Sequence, residues 1–327
     1  MRRWIGWIII LCILAGGATT CAIRWEAWFG NPPEPEYNEP IIAHQFITFD
    51  NDSVSSALQR DTLSFIILGD IHNSLTNDQI TILSQRHPNI QFWAQTGDWM
   101  ERPYLCYEQM MYQSLLGTGL DSLPIVAIPG NHEYLKGVVK TLPEKWKSIF
   151  PNPQNGPSRF LGTTYFVDFP HLRLIAIDTD GLHRMSDYTQ VAFWLKKTLR
   201  EAGNKFTIVM MHHPVYSTAK GRQNPLMWLT FYDAMREADV VFSGHDHNYA
   251  RRTEYYKERF WKKEEPTIFI ATNASTKKYP VKENKKYEAS LSGEPVYEHI
   301  LVTPNTLHIS TYTIHSGERI DNVEIIR

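Results

Sequence analysis

The chain has 327 residues, enough for a large buried core in one or two domains. Hydrophobic residues at 43% and charged residues at 21% suit a folded globular protein, and a net charge of −2 carries no basic footprint, so no nucleic-acid partner is expected. Three cysteines, two of them in the N-terminal apolar segment, exclude a disulfide framework.

The N-terminus opens with Arg2-Arg3, runs uncharged from Trp4 to Ile23 and closes on Arg24. A basic start, an apolar middle and a small-residue end read as an export signal. The stretch is also just long enough to span a bilayer, with positive charge before it to keep the N-terminus inside. Cys21 after small residues resembles a lipoprotein site, although Thr20 before it fits poorly. Residues 1–23 are therefore expected to be a signal peptide or membrane anchor. Periplasmic, extracellular and membrane-tethered locations all stay open. Residues 24–62 are expected to form a spacer, rich in proline and acid from Asn31 to Pro40, with an edge strand over Ile41–Phe49.

From Leu63 the pattern changes, and residues 63–327 read as one catalytic body. Apolar runs predict strands at Leu63–Leu68, Asn89–Gln95, Leu123–Ile128, Phe206–Met211 and one ending at Phe242. Thr164–Asp168 and Leu172–Asp178 read as an antiparallel pair. Helices are expected over Thr76–Arg86, Leu105–Leu116, Thr189–Arg200 and Pro225–Glu237. Further strands are expected at Thr267–Ala271, Tyr297–Thr303, Thr306–Tyr312 and Val323–Ile326. Arg251–Glu265 and the lysine-rich Lys277–Lys286 read as exposed loops. Strands alternating with helices predict a mixed α/β fold.

Polar groups suited to metal follow five of these strands directly. They are Gly69-Asp70-Ile71-His72, Gly97-Asp98, Gly130-Asn131-His132-Glu133, His212-His213-Pro214 and Gly244-His245-Asp246-His247. Imidazole is the commonest protein metal ligand, and sites in α/β sheets form beyond the carboxyl ends of strands. The series in this order resembles the calcineurin-like metallophosphoesterase superfamily. The resemblance implies a four-layer α-β-β-α sandwich of two mixed sheets with a two-metal centre. By position, it assigns Asp70, His72, Asp98 and His247 to one ion, and Asp98, Asn131, His212 and His245 to the other. Asp98 would bridge, a hydroxide held by the ions would be the nucleophile, and His132 would be the general acid that meets the leaving group.

Carboxylate, imidazole and amide oxygens without thiolate suit two divalent or trivalent ions of Mn, Fe or Zn. The stretches around His212 and His245 lean toward the purple acid phosphatase branch. That branch carries a tyrosine three residues after the second aspartate, where this chain has Glu101, and lacks the histidine present here as His72. A tyrosinate–iron centre is therefore not expected. His213 and Arg251 are candidates for substrate contact, and Trp99 reads as a core or rim side chain. The expected function is a metal-dependent phosphohydrolase acting on a small phosphorylated substrate. A phosphodiesterase or pyrophosphatase is the alternative, and a non-catalytic binding module is less consistent with a complete ligand set.

Overall fold

The computed structural model describes residues 34, 36, 44–49, 60–136, 140–255 and 266–327. The expected signal or anchor and most of the spacer lie outside these residues. Among the described residues thirteen strands form two sheets: β1 Leu63–Leu68, β2 Phe92–Gln95, β3 Ile125–Ala127, β4 Tyr165–Asp168, β5 Leu172–Ile177, β6 Phe206–Met211, β7 Val240–Ser243, β8 Tyr249–Glu254, β9 Thr267–Ala271, β10 Ala289–Leu291, β11 Val296–Val302, β12 Thr306–Thr313 and β13 Arg319–Ile326. The first sheet runs β13-β12-β11-β1-β2-β3 and the second β10-β8-β9-β7-β6-β5-β4. Both are mixed. β1, β2 and β3 are parallel, with β11 antiparallel to β1, and β5, β6, β7 and β9 are parallel, with β4 and β8 antiparallel on either side.

The central strands are apolar on both faces because both faces are covered. On β1, Phe65 and Ile67 enter the core between the sheets, while Ile66 and Leu68 meet an outer helical layer. On β6, Phe206, Ile208 and Met210 point inward and Val209 and Met211 outward. The helices are α1 Asn77–Arg86, α2 Leu105–Leu115, α3 Glu144–Ile149, α4 Met185–Arg200 and α5 Pro225–Met235. Residues of α1, α2 and α3 pack outside the first sheet, and those of α4 and α5 outside the second, which makes the four layers.

Local chemistry sets several boundaries. Thr76 caps α1 in a capping box with Gln79. Asn224 caps α5, with Pro225 at its first position. Helix α4 begins four residues before the expected Thr189, because the Asp187 carboxylate accepts the Arg184 N–H at 2.9 Å. The expected loop from Arg251 is corrected over its first part: β8 continues to Glu254, since that stretch pairs with β9 and β10. Of the expected edge strand, residues 44–49 make a single bridge, Thr48 to Ile125, and bury Phe46 and Phe49 against the body. Short α3 and β10 carry too little apolar pattern to be anticipated.

At one side of the sandwich the edge strands β3 and β4 are cross-linked by Tyr165. Its hydroxyl accepts the Ala127 N–H at 3.0 Å and donates to the Ala127 carbonyl at 2.9 Å. Asn152 also donates to that carbonyl, at 3.2 Å, so removal of the hydroxyl leaves the buried N–H alone without a partner. Tyr165→Phe is expected to cost about 1–3 kcal/mol. The measurement is urea unfolding, and an unchanged midpoint would show that this cross-link does not hold the edges together.

Candidate metal centre

The carboxyl ends of β1, β2 and β3 in one sheet and of β6 and β7 in the other open on the same crevice. Six residues other than glycine have positive φ among the described residues: Asp70 (49°), His72 (49°), Asn73 (54°), Asp98 (53°), His245 (71°) and His247 (49°). All lie in three of these strand-end loops. Such conformations cost about 1–3 kcal/mol each and persist where the surroundings enforce them. Two glycines permit the close approach. A Cβ on Gly97 would lie 2.7 Å from His212 Nδ1, and one on Gly130 would collide with the Asp98 carboxylate and backbone.

The donors converge in two groups that share Asp98. Ligand-type atoms of Asp70, His72, Asp98 and His247 all lie within 4.8 Å of one another, and so do those of Asp98, His212 and His245. Asp98 Oδ2 is 3.5 Å from His72 Nε2 and 3.2 Å from His212 Nε2. His72 Nε2 and His247 Nε2 face each other at 3.3 Å. Asn131 Oδ1 joins the second group, 2.9 Å from His245 Nδ1 and 3.2 Å from His212 Nε2. The structure thus brings together all seven residues expected as ligands.

Further contacts aim these donors. His212 Nδ1 lies 3.0 Å from the Thr96 carbonyl, which turns Nε2 into the cluster. His72 Nδ1 lies 3.2 Å from Glu101 Oε2, which does the same for its ring. Glu133, fully buried, accepts the N–H groups of Asp98 (2.9 Å), Met100 (2.9 Å) and Gly130 (2.6 Å) and so pins two loops together.

Electrostatics match a cation site. Burial holds the imidazoles of His72 and His247 neutral, pushing them down to about 2 and about 3, and lowers His245 further. Burial raises Asp70 to about 8, with Asp98 adding to the effect. Burial alone would lower His212, but Asp98 and Asp70 outweigh it and raise the ring to about 10. Burial alone would raise Asp98, yet His212 holds it well below the usual range. Asp70 Oδ2 is buried without a hydrogen-bond partner. Neutral imidazole lone pairs facing one another beside two buried carboxylates fit two ions.

His132 sits at the mouth, half-buried. Its N–H donates to Asp98 Oδ1 at 2.8 Å, and its Nδ1 lies 2.6 Å from the Glu101 carbonyl. His72, Glu101 and His132 form a third donor group within 4.8 Å. The His213 ring lies 4.1 Å from that of His245, and its Nδ1 is 3.2 Å from both Thr179 Oγ1 and Asp180 Oδ2. Arg251 lies elsewhere. Its guanidinium is committed to Asp321 and Glu288, so the expectation of a substrate contact is corrected. Trp99 packs among Phe46, Trp93 and Phe150 in the core.

Two cations at the centre escaped the sequence reading. Arg222 Nη2 is 2.7 Å from His245 Nε2, and its guanidinium covers the Tyr279 ring at 4.7 Å. Lys277 donates to Glu101 Oε2 at 2.5 Å and lies 3.3 Å from His72 Nδ1, in a stretch expected to be a solvated loop. Neither has a spacing that marks it. Glu133 had one, as the fourth residue of Gly-Asn-His-Glu.

Because Asp98 serves both groups, metal-replete protein is expected to carry about two ions per chain by elemental analysis. Asp98→Asn is expected to deplete both sites, Asn131→Ala chiefly one, and Glu133→Gln to weaken metal affinity by about 10–100-fold. One ion or fewer in the wild-type protein contradicts the two-ion reading.

Comparison with known proteins agrees with this architecture. A curated relative, the glycerophosphodiester phosphodiesterase GpdQ of Enterobacter lignolyticus (strain SCF1), is 26% identical over 133 residues, 38% of this chain and 45% of the relative. The match thus spans less than half of that relative's length. Among solved structures, the purple acid phosphatase PPD1 from yellow lupin (Lupinus luteus) seeds superposes with a TM-score of 0.65 at 16% identity, over 83% of this chain and 55% of that one. GAP50, the anchor in the inner membrane complex of Plasmodium, gives 0.60 at 15% identity, over 81% and 89%. At such identities these structures show likeness of fold. Residues 63–249, more than half of the chain, match the family model of the calcineurin-like phosphoesterases, and the chain belongs to that family.

Proposed function

We propose that the protein hydrolyses phosphoric esters with two transition-metal ions of Mn, Fe or Zn type, held by Asp70, His72, Asp98, Asn131, His212, His245 and His247. The observation that carries this reading is the convergence of donors from five strand ends on the buried Asp98 carboxylate. Bound there, two ions would supply Lewis-acid charge to a phosphoryl group and would make a water nucleophile available at neutral pH.

The residues around the donors complete the chemistry. The His132 Nδ1–H donates to the Glu101 carbonyl, which leaves Nε2 to carry a proton to the departing oxygen. His213, fixed by Thr179 and Asp180, buttresses His245. Arg222 and Lys277 flank the two donor groups and supply positive charge for phosphoryl oxygens. The curated relative favours a second reading, a phosphodiester substrate. The deciding experiment is a panel of monoesters, diesters and pyrophosphates with Mn, Zn and Fe. Absence of turnover on all of them overturns the proposal.

Among the described residues no helix is long and apolar enough to cross a membrane, and Trp4–Ile23 lies outside them. The composition of that segment supports export, with the spacer holding the body off a membrane. Cell fractionation is expected to find the protein outside the cytoplasm, and full-length protein in the cytosol would refute this. Cys21→Ser is expected to abolish membrane association only where a lipid is the anchor.

His132→Ala is expected to retain both ions and to lose about 10²–10⁴-fold in kcat on alkyl phosphates. The loss on a nitrophenyl ester should be much smaller, because that leaving group departs without a proton. Equal losses on both, with metal content intact, would show that His132 orients phosphate and is not the acid.

A further inference from the structure

The loop over residues 215–224 has two flanks. On one, Arg222 reaches His245, and the Thr218 N–H donates to the carboxylate of Asp246, between two of the histidines. On the other lies an open cleft of about 310 Å³, lined by Tyr216, Ser217, Gln223, Asn224, Trp228, Arg252 and Lys282. Gln223 follows Arg222 directly, so one residue step separates the cation at the metal centre from the cleft wall. No residue of the cleft has a role in the chemistry above.

The lining indicates what it takes. Trp228, 44% exposed, offers an aromatic face. Arg252 is already stacked over the Tyr216 ring at 3.9 Å and ion-paired with Glu254, so it stiffens the wall and adds little net charge. Gln223 offers an amide donor and acceptor. Lys282 is held at the rim by its own N–H, which donates to the Thr218 carbonyl at 2.8 Å. Val215 and Pro225 are the aliphatic side chains in the lining, too few for an acyl chain. The volume is at the lower end for small-molecule sites, the size of one ring system with its polar edge.

We propose that this cleft is the subsite for a planar, hydrogen-bonding ring, such as a nucleobase, on the organic part of the substrate. Trp228 is the stacking platform, Gln223 reads the ring edge, and the phosphoryl group of the same molecule lies on the Arg222 side of the loop. This assignment of substrate class rests on the phosphoesterase reading, but ring binding is measurable without turnover.

Two measurements on full-length, metal-loaded protein test it. The first is calorimetric binding of adenosine, which has no phosphate to hydrolyse. Binding is expected, and Trp228→Ala is expected to weaken it about tenfold or more, as befits a lost stacking platform. Because Trp228 is part-exposed at the start of α5, its removal should leave the thermal unfolding curve in place, which excludes a folding defect. The second is the ratio of kcat/KM for adenosine monophosphate over glycerol phosphate. It is expected to exceed unity and to fall about tenfold in Trp228→Ala, through KM and not kcat. Adenosine binding that is absent, or unchanged in Trp228→Ala, overturns the subsite. A ratio that does not respond to Trp228→Ala, or a preference for long-chain alkyl phosphates, overturns it equally. Adenosine binding as expected, with no hydrolysis of any ester, would leave the ring subsite standing and count against the phosphoesterase reading alone.

Discussion

The buried carboxylate of Asp98 is the constraint on which the rest of the centre depends. One of its oxygens faces imidazoles from both sheets, His72 from the loop after β1 and His212 from the end of β6. The other accepts the His132 N–H, and the residue's own N–H is held by Glu133. A charge this deep costs several kcal/mol unless it is compensated, and the compensation here must come from cations. The His212 ring beside Asp98 lowers its pKa, and the converging donors offer the place for a cation.

The scaffold makes that arrangement possible by separating two tasks. The inter-sheet core and the two outer helical layers bury nearly continuous apolar strands, and that burial is the stabilising term. The strand-end loops contribute strain. Left-handed backbone at Asp70, His72, Asp98, His245 and His247 is unfavourable taken alone, and the packed strands on either side enforce it. Glu133 is the clearest device of this kind. A carboxylate that accepts three N–H groups from two loops fixes their separation without touching the donor atoms.

Around the donors the charge pattern is asymmetric. The carboxylates of Asp70 and Asp98 are buried with the imidazole of His212, and the cations Arg222 and Lys277 are partly exposed. This gradient suits an anionic group that enters from solvent, meets fixed positive charge first and stops over the metal-binding donors. The loop of residues 215–224 carries Arg222 to this rim and lines the cleft beside Trp228.

The sequence by itself determined the α/β alternation and the candidate donors. Each central strand is a short apolar run, and each relevant strand is followed within a few residues by a ligand-type residue, so local pattern carried both, while the family resemblance implied the four layers. Leu63–Leu68 and Phe206–Met211 appear with the expected ends for that reason. What only the tertiary structure decided depends on contacts between segments far apart in the chain. Arg251 follows the Gly-His-Asp-His series closely, yet it is turned to Asp321, 70 residues on, because β8 lies at the far side of the second sheet. Arg222 and Lys277 reach the centre from loops with no recognisable spacing, brought there by the bridge of Ala219 to Val281 and by the turn after β9. A ligand at a strand end is written into its neighbours in sequence, because the strand itself aims it. A charge at the rim is placed only by the packing of loops, and no local pattern encodes that.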